Sequence, residues 1–243
     1  MPYNNPKIKG WLRIVILIFP YIFIVALFGL VSMQISDVSF DVRTSDMTLT
    51  QRLIWTFFNL SGSTLVIYLF VKLVDRENFL DIGLHLKNRA KDIFVGVLLG
   101  LFIMGFGFLI LSYLGEIDFR NINFDFKKLV YVLALYIMVS LIEEILMRGY
   151  ILRNLMYSFN KYLALILSSL LFSIMHGFNP SFDFQAFIDL FLAGILLGLP
   201  YTFNKNLWFP IALHFSWNFF QSLFGFNVSG LDSYSLIEFS IPE

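Results

Sequence analysis

Long apolar segments separate the charged residues in the first half of the sequence. Residues 14–36, 53–71 and 93–115 contain no Asp, Glu, Lys or Arg. A helix needs ~20 apolar residues to cross ~30 Å of hydrocarbon. In lipid, only helices and closed barrels satisfy every backbone polar group. The three segments therefore predict three membrane-spanning helices.

The second half contains further apolar segments with few interruptions. Besides two histidines, the interruptions within them are Glu143, Glu144, Arg148, Arg153 and Asp189, and the segments are residues 129–157, 162–182, 184–204 and 206–231. We predict an all-α fold, a polytopic bundle of about seven to eight transmembrane helices, the eighth being a short or re-entrant segment near Pro200 and Pro210. Since the chain contains no repeat or linker, we expect residues 1–243 to form a single membrane-embedded domain.

The basic residues predict how the chain is oriented in the membrane. Alternating the loops places twelve basic residues on one side: Lys7, Lys9, Arg13, Lys72, Arg76, Lys87, Arg89, Lys91, Arg148, Arg153, Lys161 and Lys205. The other side receives five: Arg43, Arg52, Arg120, Lys127 and Lys128. Cytoplasmic loops carry the excess of Lys and Arg. We therefore expect a multi-pass integral membrane protein with a cytoplasmic N-terminus.

Composition excludes several classes of protein. Only 14% of residues are charged and the mean hydropathy is +0.76, whereas soluble domains are ~25% charged. A net charge of zero gives no basic surface for nucleic acid, so we expect membrane lipid as the surroundings and no nucleic-acid partner. With no cysteine, thiol nucleophiles and cysteine-bound zinc are excluded. The absence of cysteine and the compact length lead us to expect the cell membrane of a bacterium.

Two adjacent acids interrupt the segment 129–157. Glu143 and Glu144 follow an apolar run, and Arg148 comes four residues after Glu144. Residues four apart share a helix face, so Glu144 and Arg148 can form an ion pair. Glu143 lies ~100° around the helix and lacks that partner, which makes it a candidate general base. In the alternative interpretation, the acids end a helix near the cytoplasm and Arg148 and Arg153 reach the head groups.

Two of the three histidines lie in later apolar segments. His176 closes one segment, and His214 precedes Asn218 by four residues on one helix face. Asn218 can hold the His214 ring or donate to an oxyanion, or the two side chains can form a simple interhelical hydrogen bond. Polar groups within spans are normally paired and functional. Together with Glu143, Glu144 and Arg148, the two histidines and Asn218 form a set of side chains typical of a metal-assisted or acid/base hydrolase.

Three motifs in order carry a resemblance to a known family. They are Glu143-Glu144-x-x-x-Arg148, Phe172-x-x-x-His176 and His214-x-x-x-Asn218. This series resembles the CPBP family of intramembrane endopeptidases, which includes the type II CAAX prenyl endopeptidases and the bacterial Abi proteins linked to bacteriocin immunity. The similarity covers about residues 90–225, which we expect to be the catalytic core.

The resemblance implies a role for each motif residue. Glu143 activates a water, while Glu144 and Arg148 form the supporting pair. His176 and His214 bind a divalent metal or contact the water, and Asn218 steadies the oxyanion. Glu143 can also be a third metal ligand, in which case Glu144 becomes the base; we favour Glu143 as base. Three N/O ligands and a free position suit Zn²⁺, and a metal-free glutamate mechanism remains the alternative.

The resemblance also implies a substrate. We expect a membrane-associated peptide or protein, either CAAX-like or a bacteriocin or pheromone precursor. The alternative is a membrane immunity or regulatory protein that is not a catalyst and acts through helix contacts. A transporter is a third hypothesis, because buried acids and histidines also relay protons, although the chain lacks the internal repeat typical of transporters. The sequence leaves the oligomeric state open.

Overall fold

The computed structural model describes residues 9–242, so Lys7 lies outside the described part. Helices follow one another in the predicted order. They are α1 (Gly10–Ser36), α2 (Leu49–Phe70), α3 (Ala90–Tyr113), α4 (Phe126–Glu144), α5 (Arg153–Met156), α6 (Lys161–Met175), α7 (Phe184–Asn204) and α8 (Trp208–Leu223). A π-helical turn extends α2 over Val71–Asp75, and a second one, Ile145–Leu152, joins α4 to α5. Short 3-10 turns cover Thr44–Asp46 and Phe79–Ile82.

Two of the predicted spans are shorter than expected. Five helices in the described residues are long and apolar enough to cross a membrane. By contrast, α6 and α8 contain 15 and 16 residues and reach only ~22–24 Å. Turns end them early, because Asn179 N–H bonds back to the His176 carbonyl and Gly225 has a φ of 89°. The all-α bundle is confirmed, with two shorter helices in place of the predicted spans 162–182 and 206–231.

Both prolines near the predicted eighth segment lie within regular helices. Pro200 is inside α7, and Pro210 lies in the first turn of α8, where the missing N–H has no helical partner to lose. No further helix between Phe184 and Leu223 separates these two elements. The described chain therefore has seven helices of 15 or more residues when α4, the π-helical turn and α5 are taken as one continuous helix, Phe126–Met156.

Small residues allow the helices of the second half to pack closely. A Cβ added to Gly100 in α3 would lie 2.6 Å from Ser216 Oγ in α8. A Cβ added to Gly194 in α7 would lie 2.9 Å from Ser169 Cα in α6. Membrane helices lack a hydrophobic force between them, so close van der Waals packing at small residues stabilises their contact. These contacts position α8 and α7 around the end of α4.

A buried ion pair connects the helices at the end of the bundle where α1 begins. Arg13 Nη1 lies 2.5 Å from Asp75 Oδ1, and both side chains are fully buried. Arg153 contacts the second Asp75 oxygen at 3.6 Å and also pairs with Glu77. Arg13 was expected among the twelve basic residues of the cytoplasmic side, and its burial was not predicted. The pairing with Asp75 compensates the cost of burying its charge.

A small sheet lies at the opposite end. Strand β1 (Asp118–Ile122) pairs antiparallel with β2 (Ile237–Ser240). The Tyr234 hydroxyl donates to the Asn123 carbonyl at 2.6 Å and accepts from Asp125 N–H at 2.9 Å. The segment after α8 is thereby fastened to the loop before α4 and crosses this end of the bundle.

Candidate active site

The adjacent glutamates lie at the junction between α4 and a π-helical turn. Glu144 is the last residue of α4, and the π-helical turn Ile145–Leu152 follows directly. Such turns occur often at functional sites. The Glu144 side chain is fully buried, whereas 27% of the Glu143 side chain is exposed. The two acids therefore face different surroundings, and only Glu143 faces an open space.

Glu144 joins three helices through hydrogen bonds. Its Oε1 accepts from Arg148 Nη1 at 2.7 Å and lies 2.8 Å from His214 Nδ1 on α8. Arg148 Nη2 donates to the Gly194 carbonyl of α7 at 3.1 Å. The predicted pair of Glu144 and Arg148 is present, and it also fixes the His214 ring. The role of holding the His214 ring, which was considered for Asn218, belongs to Glu144.

His176 ends α6 and is held by its own helix. Its Nδ1 lies 2.7 Å from the Phe172 carbonyl, and the two rings are 4.6 Å apart at their centroids. The Arg148 guanidinium also lies over the Phe172 ring, 4.7 Å from its centroid. Phe172 thus contacts both a motif arginine and a motif histidine and limits the orientations available to the His176 ring.

Both histidine rings direct Nε2 toward Glu143. Glu143 Oε2 lies 3.6 Å from His176 Nε2 and 3.9 Å from His214 Nε2. A carbonyl and a carboxylate only accept hydrogen bonds, so each Nδ1 carries a proton. Nε2 is then the nitrogen that offers a lone pair in the neutral form of each ring. Glu143 Oε2 is buried and has no hydrogen-bond donor among residues 9–242. Two imidazole nitrogens and one carboxylate oxygen therefore lie close to one another, which suits a water or a cation.

The metal prediction can be compared with this geometry. Within residues 9–242, no three His, Asp or Glu side chains are arranged closely enough to qualify as a metal site. The chemistry of the atoms is nevertheless suitable, because two imidazole nitrogens and one carboxylate oxygen are common zinc ligands. The metal therefore stays a prediction, with His176, His214 and Glu143 as its ligands.

Two cavities meet at this cluster. The larger has a volume of about 990 Å³ and the smaller about 370 Å³. Both are lined by Glu143, His176 and Asn218. Asn218 lies one turn after His214 on α8, so its side chain borders the same space. The motif residues thus lie where a bound peptide that extends from one cavity into the other would pass.

The start of α8 explains how His214 reaches the level of Glu143. Counting 1.5 Å per residue from the preceding loop predicts that His214 lies ~10–15 Å closer to the membrane surface than Glu143. In the structure α8 begins inside the protein, since Asn206 and Leu207 are buried. Leu207 N–H donates to the Gly83 carbonyl at 2.9 Å. The loop between α2 and α3 therefore packs against the residue that precedes α8, so this helix does not begin at the surface of the bundle.

The serines beside the histidines are bonded elsewhere. Ser173 Oγ donates to the Phe187 carbonyl and Ser216 Oγ to the Val97 carbonyl, each at 2.6 Å. Both serines are fully buried, so neither is a suitable nucleophile. His85 is exposed and bonds to Asp81 at 2.8 Å, away from the cluster.

Sequence reasoning missed several residues that line the cavities. Asn179 follows α6, while Val228 and Ser229 come after α8, and all three border both cavities. Gly230 has a φ of 75°, and an added Cβ would lie 2.1 Å from the Pro180 carbonyl oxygen. No local pattern marks these residues, because their position depends on the tail crossing the end of the bundle.

The fold and the cluster define a class of protein, a polytopic helical membrane protein with a carboxylate and two imidazoles in its interior. A family model, described as Rce1-like type II CAAX prenyl endopeptidase, matches residues 125–220. The match covers less than half of the chain, runs from the start of α4 into α8 and includes all three motifs. It confirms the resemblance to the CPBP family of CAAX proteases and supports an intramembrane endopeptidase in general. No curated protein and no solved structure matches the chain significantly.

Proposed function

We propose that this protein hydrolyses a peptide bond in a membrane-associated peptide or protein, using a water activated by Glu143. One observation carries the proposal. Glu143 Oε2 faces both histidine Nε2 atoms at the place where the two cavities meet. A water there would lie beside a base and next to a peptide crossing between the cavities, as general base catalysis requires.

The residues of the cluster have separate roles in this reaction. Glu143 accepts a proton from the water, whose oxygen then attacks the carbonyl carbon of the scissile bond. His176 and His214 orient the water through their Nε2 atoms. Asn218 donates to the oxygen that becomes negative, as an oxyanion-hole side chain does. The proton on Glu143 then passes to the leaving amine as the C–N bond breaks.

Glu144 and Arg148 position the reacting groups without touching the substrate. Glu144 bonds to His214 Nδ1 and so fixes the tautomer of the ring. A hydrogen-bond partner on the other ring nitrogen orients a catalytic imidazole in this way. Arg148 balances the Glu144 charge in a site where both side chains are buried. A divalent metal held by His176, His214 and Glu143 would polarise the bound water and the carbonyl when present.

The predicted orientation of the chain determines the side of the membrane to which the site opens. Thr44 and residues 228–231 border the cavities, and they lie at the end of the bundle opposite the start of α1. With the predicted cytoplasmic N-terminus, the site opens to the outside of a bacterial cell membrane. A secreted peptide precursor would suit such an opening.

Histidine variants with a matched control test this function. Purified protein in liposomes is incubated with a library of membrane-anchored peptides, and products are identified by mass spectrometry. His176→Ala and His214→Ala should abolish cleavage and lower the divalent metal content, whereas His85→Ala in the exposed loop should change neither. Equal activity of all three variants would overturn the proposal and favour the alternative of an immunity protein that is not a catalyst.

A further inference from the structure

The larger cavity carries an unbalanced negative charge. Its described lining includes two carboxylates, Glu143 and Asp189, two histidines and no lysine or arginine. The nearby pair of Glu144 and Arg148 is internally neutral. Glu143 and Asp189 therefore carry two formal negative charges, and no lysine or arginine in the lining balances them. Apolar walls intensify this field, because low-dielectric surroundings screen charge weakly and focus it into the opening.

Asp189 is the acid in this cavity that the proposed reaction does not use. It lies in the second turn of α7 within an apolar helix, and its side chain is exposed at the cavity. Its Oδ1 accepts from the Gln185 amide at 3.0 Å, which is a neutral partner. In the described chain, Asp189 takes part in none of the ion pairs. An acidic residue within an apolar, membrane-spanning helix is rare and usually functional.

The smaller cavity differs in charge. Arg52 borders it together with Glu143, so its formal charges are balanced. The Arg52 guanidinium donates to the carbonyls of Met47, Ser45 and Asp232, which holds the tail against α2. The field that favours a cation is therefore confined to the larger cavity, and this difference distinguishes the two sides of Glu143.

We propose that Asp189 makes the larger cavity a specificity pocket for a lysine or arginine side chain of the substrate. The inference rests on the proposed function and adds the substrate class, a peptide with a basic residue near the scissile bond. The apolar stem of such a side chain would lie along Leu190, Ala193 and Leu197, which line the cavity. Its charged head would pair with Asp189. Long basic side chains can pack an apolar stem along apolar surface while the charged head lies in polar surroundings.

Binding measurements test this pocket without requiring cleavage. The probes are three fluorescent, acetylated and amidated tripeptides with Lys, Gln or Glu between two leucines, and anisotropy gives their Kd for protein in detergent micelles. The wild type should bind the Lys peptide about tenfold more tightly than the Gln peptide, a difference of about 1.4 kcal/mol. Asp189→Asn should remove this preference and Asp189→Glu should retain it.

A control variant and two outcomes make the test decisive. Asp232→Asn removes an equal charge at an exposed position outside the larger cavity and should keep the preference for Lys. Failure of the wild type to prefer Lys, or an equal preference in Asp189→Asn, would overturn the pocket. Cleavage that depends on His176 and His214 but not on Asp189 would then leave the proposed function standing. Cleavage that is insensitive to both histidines would remove the function itself.

Discussion

The buried pair of Glu144 and Arg148 gives the sharpest prediction about stability. Arg148→Met keeps much of the side-chain volume and removes the charge. Glu144 is then left as a buried carboxylate, since the two side chains are 0% and 1% exposed. Breaking a buried pair by removing one partner costs ~3–5 kcal/mol. Glu144 keeps its bond to His214 at 2.8 Å, so we expect the lower end of this range, about 3 kcal/mol.

A second ion pair in the same chain provides the matched control. Arg89 and Asp92 lie 2.9 Å apart within one turn, and their side chains are 33% and 31% exposed. Exposed pairs of this kind contribute ~0–1 kcal/mol. The free energy of unfolding, measured by SDS titration in mixed micelles, should fall much further for Arg148→Met than for Arg89→Met. Adding Glu144→Gln to Arg148→Met should recover part of the loss, because it removes the unpaired charge.

Equal losses in the two arginine variants would refute this reasoning. The pair of Glu144 and Arg148 would then stabilise the fold no more than an exposed ion pair does. The Glu144 carboxylate could then bond to His214 without the positive charge of Arg148. A further loss in the double variant, instead of a recovery, would also contradict it, because it would mean that the carboxylate itself stabilises the fold.

Three further predictions concern packing, capping and orientation. Gly100→Ala should lower the free energy of unfolding by roughly 1–3 kcal/mol, because the new Cβ would lie 2.7 Å from a backbone atom of α8. The control Gly107→Ala, whose new Cβ has nothing within 4 Å, should be neutral. Equal unfolding curves for the two variants would contradict the close packing of α3 and α8. Thr48→Ala removes the capping box of α2 and should cost about 1 kcal/mol in the same titration, so an unchanged midpoint would show that the cap contributes nothing. In this cysteine-free chain, an impermeant maleimide should label Ser181→Cys from outside intact cells and Lys87→Cys only after permeabilisation; the reverse pattern would invert the orientation.

Charge spacing predicted the helices well because membrane insertion depends on it directly. The five long helices coincide with uncharged or nearly uncharged segments, since a charge in lipid costs several kcal/mol. The ends of α6 and α8 could not be predicted this way. Their terminating turns at residues 176–179 and 223–226 are uncharged, and apolar residues continue beyond them. Hydropathy does not distinguish a short helix with a turn from a full span.

Contacts between distant segments could not be predicted from the sequence. The ring of His214 is held by Glu144, 70 positions away, although its spacing suggested Asn218. Arg13 was counted among the basic residues of the cytoplasmic side, but it is buried against Asp75. Each of these contacts depends on how helices pack, whereas the pair of Glu144 and Arg148 depends on helix periodicity alone and was predicted correctly. The sheet of β1 and β2 joins segments more than a hundred residues apart and has no local signal.

Cleavage by a Glu143→Gln variant tests the central claim most directly. The amide keeps the shape of the side chain and loses the ability to accept a proton from water. The control is Glu116→Gln, at an exposed position that borders neither cavity. Both variants should insert and unfold like the wild type, while the rate of peptide cleavage falls at least ~100-fold for Glu143→Gln and stays unchanged for Glu116→Gln. Wild-type cleavage by folded Glu143→Gln protein would contradict the assignment of Glu143 as the base.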